Sequence, residues 1–166
     1  MPKSLPQNTY EIVLELLNDK GVKVVVDAEK DLLLNTLKYK PFLIKPNHHE
    51  LGEIFDTEIS DFKTALFYAE KLQNYGAKNV MVSMGYMGAV LLDENGHSHN
   101  LSAPNGNVIS AVGSGDSAVA AFLAAYTKNE GYENALKLAV CAGSATAFSD
   151  GLAVKEKIEE LYKAKK

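Results

Sequence analysis

The strongest constraint on this chain is a repeated alternation between two hydrophobic periods. Short runs of apolar, often β-branched residues are each followed by a longer run in which bulk recurs every three to four positions. The first helical run carries Ile12, Val13, Leu16 and Leu17 between Tyr10 and Asn18, with Gly21 where a helix ends. Val22-Lys23-Val24-Val25-Val26 then reads as a strand buried on both faces, with Asp27 at its C-terminal edge. Leu32, Leu33, Leu34 and Leu37 predict a second helix, Phe42-Leu43-Ile44 a second strand, and Leu51, Ile54 and Phe55 an apolar stripe after Asn47. A helix from Asp61 to Tyr75, stopped by Gly76, and a strand over Asn79–Ser83 repeat the pattern. Ala89–Asp93 and His97–Leu101 flank Glu94-Asn95-Gly96, a hairpin signal. Val108-Ile109 and Val112 predict one more strand, and two alanine-rich helices follow, Asp116–Thr127 and Glu133–Phe148, whose small residues permit close approach.

Strand and helix in this order predict an α/β layer structure with a mainly parallel sheet and one antiparallel hairpin. In such sheets ligands sit beyond the C-terminal strand edges, where Asp27, Asn47, Gly85 and Gly113 fall. The 166 residues fit one domain on a prior of ~100–200 residues each. One cysteine, Cys141, excludes an internal disulfide, and its alanine-rich setting makes it a small buried hydrophobe. The net charge of −4 argues against nucleic acid as a partner. The longest apolar run, Ala118–Tyr126, is far shorter than the ~18 residues of a membrane span, and Met1–Gln7 has no secretory signal, so a soluble cytoplasmic protein is expected. The closing Lys163-Ala164-Lys165-Lys166 reads as a solvated last helical turn.

All 17 basic residues are lysines. Without a guanidinium fork, any phosphate must be met by backbone N–H groups, lysine point charges or a metal. Val112-Gly113-Ser114-Gly115-Asp116-Ser117 supplies such amides: two glycines that admit φ > 0, a helix N-terminus behind them and a carboxylate among them. Two simpler uses exist, with Asp116 as a helix cap and the glycines as a turn. Gly113, Gly115 and Ala118 also satisfy a dinucleotide-binding spacing, but a carboxylate among the pyrophosphate donors would repel that ligand by ~4 kcal/mol per charge pair at 4 Å and an effective dielectric of 20. A base beside charge-stabilising amides suits deprotonation of a hydroxyl that attacks a phosphoryl group.

Lys45-Pro46-Asn47-His48-His49-Glu50 follows a strand, and Asn47 and Glu50, three apart, share a helical face. They read either as oxygen donors near a hydrated Mg²⁺ or as a capping box. Ser83-Met84-Gly85-Tyr86-Met87-Gly88 either admits a nucleotide or turns the chain. His48 and His49, as neighbours, face different ways; they and the pair His97 and His99 receive no role. Asp27 reads as facing substrate or a water-bound metal, or as capping the helix after Glu29, the last being preferred.

These blocks together resemble the PfkB (ribokinase-like) carbohydrate kinase family, in the branch of 1-phosphofructokinases and tagatose-6-phosphate kinases. The matching segments are Pro2–Pro6, Lys45-Pro46-Asn47-x-x-Glu50, Ser83-Met84-Gly85-x-x-Gly88, Val112–Ser117 and Ala142–Phe148. The resemblance implies a three-layer α/β/α ribokinase-like fold and ATP·Mg²⁺-dependent transfer to a phosphorylated ketose. By it, Asp116 is the catalytic base and Gly113, Ser114, Gly115 and Asp116 form the anion hole. Lys45, Asn47, Ser83, Gly85, Gly88, Gly143 and Ser144 bind ATP, and Asn47 with Glu50 faces Mg²⁺, through water. Ser114 stands where alanine is commoner, and Ala111 where Thr, Ser or Pro is usual. Family members are roughly twice as long, so the chain reads as the C-terminal half. A fragment of that kind is expected to bind nucleotide weakly, to transfer phosphate at no useful rate alone, and to expose a sheet edge that favours a homo-oligomer.

Overall fold

The computed structural model describes residues 6, 8–18 and 20–165. The block at 2–5 and Lys166 therefore lie outside the described residues. Contacts divide the chain into two compact units: one runs to Ser83 and takes in Leu91–Ser98, the other comprises Met84–Val90 and His99 onward.

The first unit alternates helix and strand: α1 (Thr9–Leu17), β1 (Val25–Val26), α2 (Lys30–Thr36), β2 (Leu43–Ile44), α3 (His48–Phe55), α4 (Phe62–Asn74) and β3 (Asn79–Ser83). β1 pairs in parallel with β2, Val25 opposite Leu43 and Val26 opposite Ile44; β2 pairs in parallel with β3, Leu43 opposite Asn79 and Ile44 opposite Val80. Leu33, Leu43, Ile44, Leu51, Leu72, Val80 and Val82 are fully buried, which is why β2 and β3 read as continuous apolar runs. α4 starts where Asp61 Oδ1 accepts a hydrogen bond from the Thr64 N–H at 2.7 Å.

β4 (Ala89–Leu92) and β5 (Ser98–Leu101) complete the strand order β1-β2-β3-β4-β5. The turn between them is fixed from its own carboxylate: Asp93 Oδ1 accepts from the N–H groups of Asn95 and His97, at 2.9 and 3.0 Å. The side chain of buried Asn79 accepts from Glu94 N–H and donates to the Phe42 carbonyl. The second unit holds α5 (Ser114–Thr127), α6 (Tyr132–Ala147) and α7 (Lys155–Ala164). α5 and α6 pack closely at Gly143, where an added Cβ would come within 3.2 Å of the Ser114 carbonyl oxygen and 3.5 Å of Ala118 Cβ.

Four expectations change. The strand at 22–26 shrinks to Val25–Val26, with Val22 exposed, because β1 ends the strand order and its pairing starts only where Val24 O accepts from Phe42 N–H. No strand forms at 108–112. The N–H groups of Ile109 and Ser110 both donate to the Ala147 carbonyl at the end of α6, at 2.8 and 3.2 Å, and Val108, Ile109 and Val112 are exposed. The helix expected from Asp116 begins at Ser114, so the cap is Gly113 and not Asp116. Of α7 only the last turn is expected from the sequence; Ile158, Leu161 and Tyr162 carry its helical spacing, diluted by six charged residues among its ten.

Candidate functional site

The expected site residues fall into two groups, one in each unit, and each is built by its own backbone. In the first unit they gather at the C-terminal strand edge. Carrying the β1–β2 register one residue further sets Asp27 opposite Lys45, and Lys45 N–H donates to the Val26 carbonyl at 3.3 Å. Lys45 is buried, with 7% of its side chain exposed against 38% for Asp27, and its Nζ lies 3.3 Å from Asp27 Oδ2. The preferred use of Asp27 as a cap is therefore overturned: the N-cap of α2 is Glu29, which makes no side-chain cap bond, and Asp27 is paired with a lysine.

Two residues on, Asn47 forms a parallel bridge with Ser83, and Ser83 N–H donates to the Pro46 carbonyl at 3.1 Å. Asn47 caps α3 through a capping box: Glu50 N–H donates to Asn47 Oδ1 at 2.9 Å, and Asn47 N–H donates to Glu50 Oε2 at 2.8 Å. The box leaves the second carboxylate oxygen, Oε1, outside the reciprocal pair. His48 and His49 do not diverge as their adjacency suggested; their ring centroids lie 3.9 Å apart. Burial and the neighbouring His49 hold the His48 imidazole below its usual protonation range, opposed by a bond to the Ser83 backbone, and His48 Nδ1 is buried without a partner.

In the second unit, Gly85–Met87 forms a single 3₁₀ turn closed by Met84 N–H on the Gly88 carbonyl at 2.8 Å. Gly88 sits at φ +115°, and a Cβ there would meet the Leu101 carbonyl oxygen at 2.0 Å, so only glycine fits. Tyr86 is almost fully exposed at the crest of that turn.

Gly113 is left-handed at φ +78° and starts α5. Of the four amides expected in an anion hole, that of Ser114 is spent on the Ala111 carbonyl at 3.2 Å. The amides of Gly113, Gly115 and Asp116 have no acceptor among the described residues, as the first turn of a helix requires. Asp116 stands in that turn, exposed, and its carboxylate makes no hydrogen bond or ion pair among the described residues. Ser114 Oγ is buried without a hydrogen-bond partner, a feature no sequence pattern signals. Behind the turn, Thr146 Oγ1 donates to Ser117 Oγ at 2.8 Å and accepts from Ala153 N–H at 3.3 Å, tying α6 and the segment after it to α5. Gly143 serves the α5–α6 contact, and the Ser144 carbonyl accepts from Phe148 N–H at the end of α6.

Comparison with known proteins agrees with these blocks. Residues 1–158 match the family model described as pfkB family carbohydrate kinase. The 1-phosphofructokinase of Bacillus subtilis is 44% identical over 161 residues, covering 97% of this chain and 53% of that protein. The D-tagatose-1-phosphate kinase of Bacillus licheniformis is 31% identical, over 96% of this chain and 53% of its own length. The Escherichia coli phosphofructokinase-2 structure in complex with fructose-6-phosphate superposes at a TM-score of 0.87 and 25% identity, covering 99% of this chain and 53% of that one. The chain thus spans about half the length of the curated relatives it matches. An α/β fold with parallel pairing and the match over most of the sequence agree: the chain belongs to the pfkB family of carbohydrate kinases and has its ribokinase-like fold.

Proposed function

We propose that this chain is the phosphoryl-transfer half of a kinase that moves the γ-phosphoryl group of ATP to a hydroxyl of a ketose phosphate. The observation that carries this is the turn at 113–116. An unpartnered, exposed carboxylate shares one helical turn with the unspent amides of Gly113, Gly115 and Asp116, at the N-terminus of a 14-residue helix. A hydroxyl losing its proton while it attacks a phosphoryl group needs an acceptor and charge-stabilising dipoles close together. Asp116 takes the proton; the amides and the helix dipole meet the negative charge that develops.

Lys45, Asn47 and Ser83 at the strand edge, the turn from Gly85 to Gly88 and the helix around Gly143 and Ser144 belong to the nucleotide's share of this proposal. Mg²⁺ would be held by the Asn47–Glu50 pair. Among the described residues no three His, Cys, Asp or Glu side chains cluster as a metal cage, which suits an ion that takes one or two protein oxygens and fills its shell with water and phosphate. When bound, it neutralises phosphate charge.

The acceptor is a ketose carrying a phosphate, with fructose 1-phosphate first because of the Bacillus subtilis relative. The tagatose relatives are named for the 1-phosphate, so that ester replaces tagatose 6-phosphate as second choice. A cytoplasmic setting follows from the ATP and sugar-phosphate pools such a reaction draws on. Self-association is supported by the exposed Ile12, Val13 and Leu16 of α1 and Val22 beside β1.

The test is a titration of the chain with ATP·Mg²⁺ and, separately, with NADH. Saturable binding of ATP·Mg²⁺ with none of NADH is expected; the reverse would sink the kinase assignment in favour of a dinucleotide-binding domain.

A further inference from the structure

We infer that Asp27 is a positioning residue for the nucleotide site: it fixes the ammonium of Lys45 at the strand edge before any phosphate arrives. The inference rests on the proposed use of Lys45 toward ATP and names a residue that use leaves out.

Three observations carry it. First, Lys45 is almost wholly buried, whereas lysine is normally the most solvated of residues, and a buried ammonium is tolerated only beside a counter-charge. Asp27 Oδ2, 3.3 Å from Nζ, is that charge. Second, the pairing is built into the sheet. The parallel register that sets Val26 opposite Ile44 sets Asp27 opposite Lys45, and the bond from Lys45 N–H to the Val26 carbonyl keeps the two strands in step up to that point. Downstream, the Asn47–Ser83 bridge and the bond from Ser83 N–H to the Pro46 carbonyl fix the backbone on the other side of Lys45. Only the four-carbon side chain is left to be ordered, and the carboxylate orders it. Third, Asp27 keeps over a third of its side-chain surface exposed and is not used to cap α2, so the pair lies where a solute can reach it. In a chain without arginine, a lysine held in place recovers part of the geometric definition that a guanidinium would bring.

The experiment uses the 166-residue chain and ATP·Mg²⁺ as the probe, with magnesium triphosphate as a second probe lacking the nucleoside. Asp27→Asn is expected to weaken both by about tenfold, because the long Lys45 side chain must then be ordered at the moment of binding instead of before it. Asp27→Glu, which keeps the charge and also covers the case in which the asparagine variant fails to fold, is expected to lose less. In a Lys45→Met background the Asp27→Asn effect is expected to shrink below about twofold, since coupled residues are non-additive. A pair that merely braced the strands would lower the unfolding midpoint in all variants without this pattern. The ammonium signal of Lys45 in ¹H–¹⁵N spectra is expected in the wild type and lost in Asp27→Asn.

Unchanged or tighter binding by a folded Asp27→Asn variant, or full additivity with Lys45→Met, overturns the positioning role while leaving the kinase assignment standing. A wild-type chain that shows the Lys45 signal but binds neither probe removes the nucleotide assignment and reduces Asp27 to a structural partner.

Discussion

Asn47 and Glu50 satisfy each other: the backbone N–H of each donates to the side chain of the other, at 2.8 and 2.9 Å, and the reciprocal bonds start α3. A residue pair proposed for a metal is thus already in structural use, and the two roles can be separated by substitution. Glu50→Ala should cost about 1 kcal/mol in urea unfolding through loss of a cap partner. Glu50→Gln, whose amide oxygen still accepts from Asn47 N–H, should unfold within ~0.5 kcal/mol of wild type on the range for substitutions that spare a key feature. If Glu50 also serves Mg²⁺, the glutamine variant should nevertheless lose about tenfold or more in the Mg²⁺-dependence of ATP binding, as loss of a residue in a metal's surroundings does. Equal Mg²⁺ dependence in the two proteins would leave Glu50 as a cap alone.

Asp116→Asn separates chemistry from binding. Assayed by ADP release in the whole enzyme, transfer should fall by ~10²–10⁴-fold, the range for a general base, while ATP·Mg²⁺ affinity of the 166-residue chain stays within about threefold. A variant that kept most of its rate would take Asp116 out of the mechanism.

Gly96, in the β4–β5 turn, is a matched control for Gly88, in the turn that follows β3. Both have positive φ, +115° and +81°, but a Cβ at Gly88 strikes the Leu101 carbonyl oxygen at 2.0 Å whereas one at Gly96 meets nothing within 4 Å. Gly96→Ala should cost about 1 kcal/mol for backbone strain alone, and Gly88→Ala at least ~3 kcal/mol, since neighbouring backbone must move as well. The comparison is read from urea midpoints at constant m-value.

Cys141 gives a pH prediction with a definite sign. Burial in α6 pushes its thiol above the usual range, opposed by Lys137 and Lys165. Its folded value exceeds its unfolded one, so its contribution to stability is complete below the unfolded pKa of ~8.5 and is lost as pH climbs through the folded value. Cys141→Ala should therefore flatten the fall in melting temperature above about pH 8.5 relative to wild type. At pH 8 the native thiol should react with a disulfide reagent far more slowly than in urea; fast native labelling would show that α6 opens.

What the sequence could convey followed local chemistry. The Asn95-Gly96 hairpin, the cap at Asp61 and the capping box at Asn47 each depend on residues a few positions apart, and each formed as its residue types dictate. The α5–α6 contact was legible because alanine and glycine recur along both helices. Failures came where a distant partner decided. Val108 and Ile109 have strand character, but the Ala147 carbonyl captures the backbone N–H groups of Ile109 and Ser110 before any strand can. Val22 has the composition of a buried strand yet lies ahead of the paired register. Asp27 looked like a cap because its true partner, Lys45, is 18 positions away and is brought opposite only by parallel pairing. Among the described residues, the two buried side-chain atoms without a hydrogen-bond partner, His48 Nδ1 and Ser114 Oγ, have no sequence signal at all.

The strand order β1-β2-β3-β4-β5 reproduces the order of synthesis. Each strand emerging from a ribosome finds its neighbour already made, so the sheet can grow by accretion, without waiting for a later segment to be threaded between earlier ones. Each closure joins strands that are neighbours in sequence, the β2–β3 pairing setting Leu43 opposite Asn79, and because closure entropy grows only slowly with loop length, the helices between strands add little to its cost.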